Sequence, residues 1–168
     1  MAYIDDATSE VFARFYAYEG TLPAFDSFAR YARRYGLPQS VYVDRHTTYR
    51  SPGKRTVIDE LAGRSRPQSQ FERALSELGV QVIPAYSPQA KGRIERLFGT
   101  FQDRFIKELR LAGATTREAA NRFLEGYLPR YNRQFRRPPR SPVNLHRPCP
   151  PAAVVRRALT IRQPRGLR

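Results

Sequence analysis

The chain has one cysteine, one methionine and no tryptophan in 168 residues. A lone Cys149 excludes an internal disulfide and cannot build a cysteine-based metal cluster. A chain without disulfides fits a reducing cytoplasm. No apolar run approaches the roughly 20 residues of a membrane span, and no signal-peptide pattern opens the chain. The expectation is therefore a cytoplasmic protein with no membrane partner. Acidic residues are missing from the last quarter: from Gly126 to Arg168 there are 11 arginines and no Asp or Glu. There is no internal repeat, no RNP-like aromatic motif of the RNA-binding kind, and no obvious Ser, Tyr or Cys nucleophile motif.

What is present is charge and enough apolar material for a core. The formal net charge is +15, and 40% of the residues are hydrophobic. Outside the acid-free stretch, 19 basic residues face 15 acidic ones, so the excess is concentrated at the C-terminal end. Nearly all the basic residues are arginine, which binds phosphate bidentately and releases counterions from a polyanion. A nucleic-acid partner is one reading; a solvated basic tail is the other. The length suits one domain plus a tail, divided here into a core at 1–148 and a Pro/Arg-rich tail at 149–168.

Periodicity predicts the elements. Met1 to Ile4 and Val11 to Tyr18 read as two strands around a turn-forming Asp5-Asp6-Ala7-Thr8-Ser9. Leu22 to Tyr35 reads as a helix ended by Gly36, and Ser40 to Val43 as a short strand. Thr47 to Ser69 is a long polar loop, with one helical turn at Val57 to Leu61. Gln70 to Leu78 is a helix stopped by Gly79, Val80 to Ile83 a strand, and Pro84 to Gly92 a loop. Arg93 to Ala112 is a long helix whose apolar stripe is core packing. Thr115 to Tyr131 is a second long helix, with Thr115 as N-cap and Glu118 at capping-box spacing. The order predicts an α/β fold: a mixed sheet flanked by helices.

Two acids stand out by position. Asp44 directly follows a strand, in Val43-Asp44-Arg45-His46. Glu95 lies in the first turn of the long helix. Carboxylates delivered by a strand end and a helix start can hold divalent cations. Two Mg²⁺ ions about 4 Å apart clamp the attacking and leaving oxygens of an in-line phosphoryl displacement. An acid at a strand end is also an ordinary turn former, so spacing alone leaves both readings open.

The stretch Tyr86-Ser87-Pro88-Gln89-Ala90-Lys91-Gly92-Arg93-Ile94-Glu95-Arg96 resembles the signature of bacterial insertion-sequence DDE transposases of the ISNCY type, which share a retroviral-integrase-like catalytic core. It is a proline-glutamine loop, a glycine hinge, then the catalytic glutamate. Val43-Asp44-Arg45-His46 resembles the strand-end aspartate motif, and Ile4 to Ser9 the second strand and turn of that core. Phe101-Gln102-Asp103-Arg104 and Tyr131-Asn132-Arg133 also match. The resemblance spans roughly residues 1 to 148. It implies an RNase H-like fold and a D, D, E triad on two Mg²⁺ (or Mn²⁺) ions, with Asp44 and Glu95 as second and third acids. It implies DNA, both transposon ends and target, as partner, with Gln89, Lys91, Arg93, Arg96 and His46 beside it. It further implies a nucleoid-associated location and a possible homo-oligomer.

The pattern also departs from the family. The strand carrying the first aspartate has no counterpart, so the expectation is a core truncated at both ends and weakly active or inactive. Asp5 and Asp6 fall at the hairpin turn and read as turn formers. About fifty residues lie between Asp44 and Glu95, more than in many relatives. The excess falls on Thr47 to Ser69, either an added DNA-contact loop or a surface loop. A non-catalytic nucleic-acid-binding remnant is the alternative reading of the whole chain.

Overall fold

The computed structural model describes residues 1–44, 46–53, 57, 61, 66–85 and 88–163, with the side chains of 88–91 outside the description. In chain order the elements are β1 (Ala2–Ile4), β2 (Val11–Ala13), α1 (Thr21–Tyr35), β3 (Ser40–Val43), α2 (Gln70–Glu77) and β4 (Gln81–Pro84). There follow α3 (Pro88–Thr100), a π-helical turn (Phe101–Phe105), α4 (Ile106–Leu111), α5 (Arg117–Phe135) and α6 (Ala152–Ala158). The α/β class is as expected. The strands expected in one mixed sheet pair instead in two: β1 antiparallel to β2, and β3 parallel to β4. The chain forms two compact units, Met1–Glu19 with Ser87–Asn144, and Gly20–Tyr86 with Leu145–Arg168. We call them the hairpin unit and the strap unit.

In the hairpin unit, the β1–β2 turn is tied by Asp5, whose Oδ1 accepts from the Thr8 N–H and the Thr8 hydroxyl, both at 2.7 Å. That is the local bonding for which Asp favours turns. Strand β2 stops at Ala13, short of the expected Tyr18, and Arg14 beyond it still exchanges backbone bonds with Met1 at 3.0 and 2.8 Å. Backbone groups of alternate residues face alternate edges of an antiparallel pair. Those of Val11 and Phe15 face away from β1, and α5 takes them. Asn132 accepts from the Val11 N–H and donates to its carbonyl, both at 2.9 Å. Asn121 does the same for Phe15 at 2.9 and 3.1 Å. Eleven residues are three helical turns, so both asparagines lie on one face of α5. Their amides stand where a neighbouring strand would.

Beneath this clamp lies an aromatic core. Leu97, Phe101, Phe105, Leu124, Tyr127 and Tyr131 are buried with Val11. Phe105 stacks on Phe15 at 5.8 Å and meets Tyr127 edge-on at 4.9 Å. The expected single helix from Arg93 starts earlier, at Pro88, since proline needs no N–H partner in a first turn. Its π turn closes with Ile106 N–H on the Phe101 carbonyl. Helix α5 begins one residue later than expected. Thr116, not Thr115, caps it by accepting from the Ala119 N–H at 3.1 Å. Glu118 is therefore one position short of a capping box and pairs with Arg117 at 2.6 Å.

In the strap unit, α1 buries Ala24, Phe25, Phe28, Tyr31 and Ala32, and Phe28 meets Phe71 of α2 edge-on at 6.2 Å. Ser69 and Glu72 form a capping box at the start of α2. Strand β4 runs parallel to β3 in the register Ser40↔Gln81 to Val43↔Pro84. The helical turn expected at Val57 to Leu61 lies largely outside the described residues. Residues 145–163 are ordered along this unit. Leu37 and Arg147 exchange backbone hydrogen bonds at 2.8 and 2.9 Å. A Cβ on Gly36, whose φ is +93°, would sit 2.4 Å from the Arg147 carbonyl oxygen, so only glycine allows this approach. Arg147 donates to the Leu78 and Gly79 carbonyls at the C-terminus of α2, both at 2.8 Å. Helix α6 buries Val155 and Ala158.

Candidate active site

Asp44 belongs to the strap unit and Glu95 to the hairpin unit. Strand β3 ends at Val43, whose carbonyl accepts from the Ala85 N–H at 2.8 Å, so Asp44 leaves the carboxyl end of a parallel strand pair. Sites in open α/β sheets form at such ends. The side chain is exposed, and its Oδ1 accepts from the His46 N–H at 3.0 Å, which fixes the turn after the strand. His46 is exposed too. Its Nδ1 accepts from the Thr48 N–H at 3.3 Å and meets the Thr48 hydroxyl at 3.1 Å.

Glu95 lies in the second turn of α3 and is exposed, because Ile94 and Leu97 take the core-facing positions. Arg96, beside it, is exposed as well. Arg93 is engaged: its guanidinium pairs with the Asp6 carboxylate at 2.6 Å and donates to the Asp6 carbonyl. Both side chains are largely exposed, so the pair adds little stability and a phosphate can compete for the arginine. Since α3 starts at Pro88, the backbones of Gln89 and Lys91 are helical, and Lys91 stands one turn before Glu95. Their side chains lie outside the described residues.

Eight carboxylates, from Asp6 to Glu125, are ion-paired with arginine among the described residues. Asp44 and Glu95 are not, and neither are Asp5 and Asp103. In a chain of net charge +15, carboxylates left unneutralised are the ones able to take a cation. No group of three or more His, Cys, Asp or Glu side chains is placed to hold a metal among the described residues.

Glu72 is the buried acid that sequence reasoning missed. It accepts from Arg66, from the Ser69 N–H at 2.9 Å and from the Ser51 N–H at 3.2 Å. Burial pushes its carboxyl pKa up. The Arg66 hydrogen bond, the two amides and the Arg66 charge outweigh that, leaving it below the ordinary value. One carboxylate thus fastens both ends of the long polar segment, and Arg66 is spent there. The Ser-x-x-Glu spacing was the available signal.

No family model matches the chain. The protein y4bF of Sinorhizobium fredii, named as a transposase, is 40% identical over 149 residues, 88% of this chain and 31% of that protein. The transposase for insertion sequence IS1202 of Streptococcus pneumoniae is 32% identical over 135 residues, 79% of this chain and 28% of its own length. The chain is a homologue of insertion-sequence transposases. Matches of this extent take in both Asp44 and Glu95 wherever they begin. The transposase homologue spans about a third of the length of the curated relatives it matches. No helix among its described residues is long and apolar enough to cross a membrane. In it, Asn132 of the Tyr131-Asn132-Arg133 motif has a structural task, holding β2.

Proposed function

We propose that this transposase homologue carries part of a DDE catalytic core of RNase H-like fold, acting on DNA, with Asp44 and Glu95 as metal-ligating carboxylates. The observation that carries the reading is the pair of exposed, unneutralised acids in segments matched to transposases. Mg²⁺ prefers hard oxygen ligands and usually takes only one or two carboxylates, keeping waters or substrate phosphates for the rest. Two acids therefore fit it. When bound, the metal ions supply charge neutralisation at phosphorus and at the attacking and leaving oxygens. The reaction is in-line attack of water or a 3′-hydroxyl on a DNA phosphodiester, with the opposite P–O bond breaking. Asp44 accepts from the His46 N–H just past the end of β3, and Glu95 is carried by a helix whose Ile94 and Leu97 pack into the core. Arg96, Gln89, Lys91 and His46 flank these acids as DNA contacts, and Arg93 joins them by exchanging Asp6 for phosphate.

The RNase H-like reading expects a further strand beside β1. The backbone groups of Ala2 and Ile4 that face away from β2 have no hydrogen-bond partner among the described residues, and that open edge is where the strand fits. A second reading, a DNA-binding remnant without chemistry, draws on the absence of a three-acid cluster among the described residues. Purified chain, with Asp44→Asn and Glu95→Gln beside it, is incubated with duplex DNA and Mg²⁺ or Mn²⁺. Metal-dependent nicking or joining that both substitutions abolish is the expected sign of the catalytic reading. DNA binding without strand scission selects the remnant, and scission that survives both substitutions removes the two acids from the site.

A further inference from the structure

We propose that Arg133, Arg137 and Arg140 form a site for the phosphate backbone of duplex DNA. The inference rests on the DNA reading above and adds a contact surface to it. Eleven arginines follow Gly126. Four are committed within the fold: Arg130 to Glu108, Arg136 to Glu10, Arg147 to the carbonyls ending α2, and Arg162 to Glu77. Arg165 and Arg168 lie outside the described residues. Five are exposed with no acid partner among the described residues, and three of these five are Arg133, Arg137 and Arg140, within eight residues of one another. Three arginines without an acid partner among the described residues therefore gather in one short segment of the hairpin unit.

That segment is fixed at its start. Arg133 is in the last turn of α5, and Arg136 ends the helix with its N–H on the Asn132 carbonyl at 2.8 Å. The Arg137 N–H donates to the Thr8 carbonyl of the β1–β2 turn at 2.8 Å, and Arg136 pairs with Glu10 at 3.5 Å. Pro138 and Pro139 follow. Proline fixes its own φ and holds the preceding residue extended, which favours polyproline II over Arg137-Pro138-Pro139. That helix repeats every three residues with about 3.1 Å rise each, which returns Arg140 to the side of Arg137 about 9 Å along. The spacing is close to three nucleotide steps of one strand, at about 3.4 Å of axis per step. Guanidinium groups on a stiff, anchored segment lose less freedom on binding phosphate than those of a loose tail.

The test is fluorescence anisotropy of a labelled mixed-sequence duplex with the full chain across a salt series. It compares wild type, the triple change Arg133→Gln, Arg137→Gln and Arg140→Gln, the same three positions as Lys, and a control triple of Arg33→Gln, Arg156→Gln and Arg157→Gln. Each phosphate contact contributes about 0.9 to the slope of log affinity against log salt, so the site triple is expected to lose about 2.7 from that slope. Its affinity at moderate salt should fall on the order of a hundredfold. The lysine triple should keep the slope, and the control triple should change it by less than about 1. Circular dichroism checks folding; if the glutamine triple unfolds, the single changes carry the reading, each losing about 0.9. An unchanged slope in the site triple, or an equal loss in the control, overturns the site while leaving DNA binding intact. A wild type that does not bind duplex overturns the DNA reading itself. Anionic vesicles losing the chain on the triple change, with duplex binding unaffected, would make the segment a membrane contact and sink the proposal.

Discussion

In the hairpin unit the polar groups that close the free edge of β2 are buried and neutral. Asn121 and Asn132 close the outer edge of β2 from inside an aromatic core. In the strap unit the corresponding groups are mainly charged and near the surface: Arg147 on the end of α2, Arg162 and Arg73 on Glu77, with Glu72 the one buried member. Buried amides without partners cost heavily, whereas exposed ion pairs are worth little each. The hairpin unit should therefore fail at single positions such as Asn121 and Asn132. The strap unit should loosen by degrees, with acid acting on it through Glu72.

Four substitutions sharpen that contrast. Phe105→Ala, which removes the most enclosed ring of the hairpin core, should cost about 3–5 kcal/mol by denaturant titration. Asn132→Ala leaves the Val11 N–H and carbonyl unpaired in a buried place and should cost about 2–4 kcal/mol, at one to two per orphaned group. Hydrogen exchange at Val11 should rise with it. Glu72→Gln in the strap unit should cost about 1–3 kcal/mol at neutral pH, since it removes a charge partner from Arg66 and weakens two amide contacts. Because the Glu72 pKa is depressed in the folded chain, its stabilisation is complete above the ordinary glutamate value and is lost as pH falls through the folded value. Stability measured between neutral and acid pH should therefore drop less in Glu72→Gln than in wild type. Arg93→Gln, which breaks an exposed pair with Asp6, should change stability by less than about 0.5 kcal/mol. A large effect there would show that the β1–β2 turn depends on that pair.

The apolar half of both units was legible in the sequence. Helical spacing located α1 and the aromatic stripe from Leu97 to Phe105, and strand patterns located β3 and β4 to within a residue. The polar half was not. Asn132 meets Val11 across 121 positions, a pairing that no local pattern announces. Helix α6 was hidden by the prolines before it and the arginines within it, and its two buried residues matter only against α2. Thr115 and Thr116 are equivalent caps on paper, and geometry chose the second. For the candidate site, Asp44 and Glu95 were readable as positions. What the sequence could not say is that arginines neutralise eight acids among the described residues and leave Asp44 and Glu95 among the few uncovered, because ion pairing is decided by tertiary contact.

Binding of divalent cations by Asp44 and Glu95 is open to direct test. Paramagnetic relaxation by Mn²⁺ in ¹⁵N-labelled chain tests it residue by residue. Selective broadening is expected for the Asp44–His46 amides and for those around Glu95, competed by Mg²⁺ and removed locally by Asp44→Asn or Glu95→Gln. Broadening confined to Asp5 and Asp6, or spread evenly over the exposed carboxylates, would contradict it.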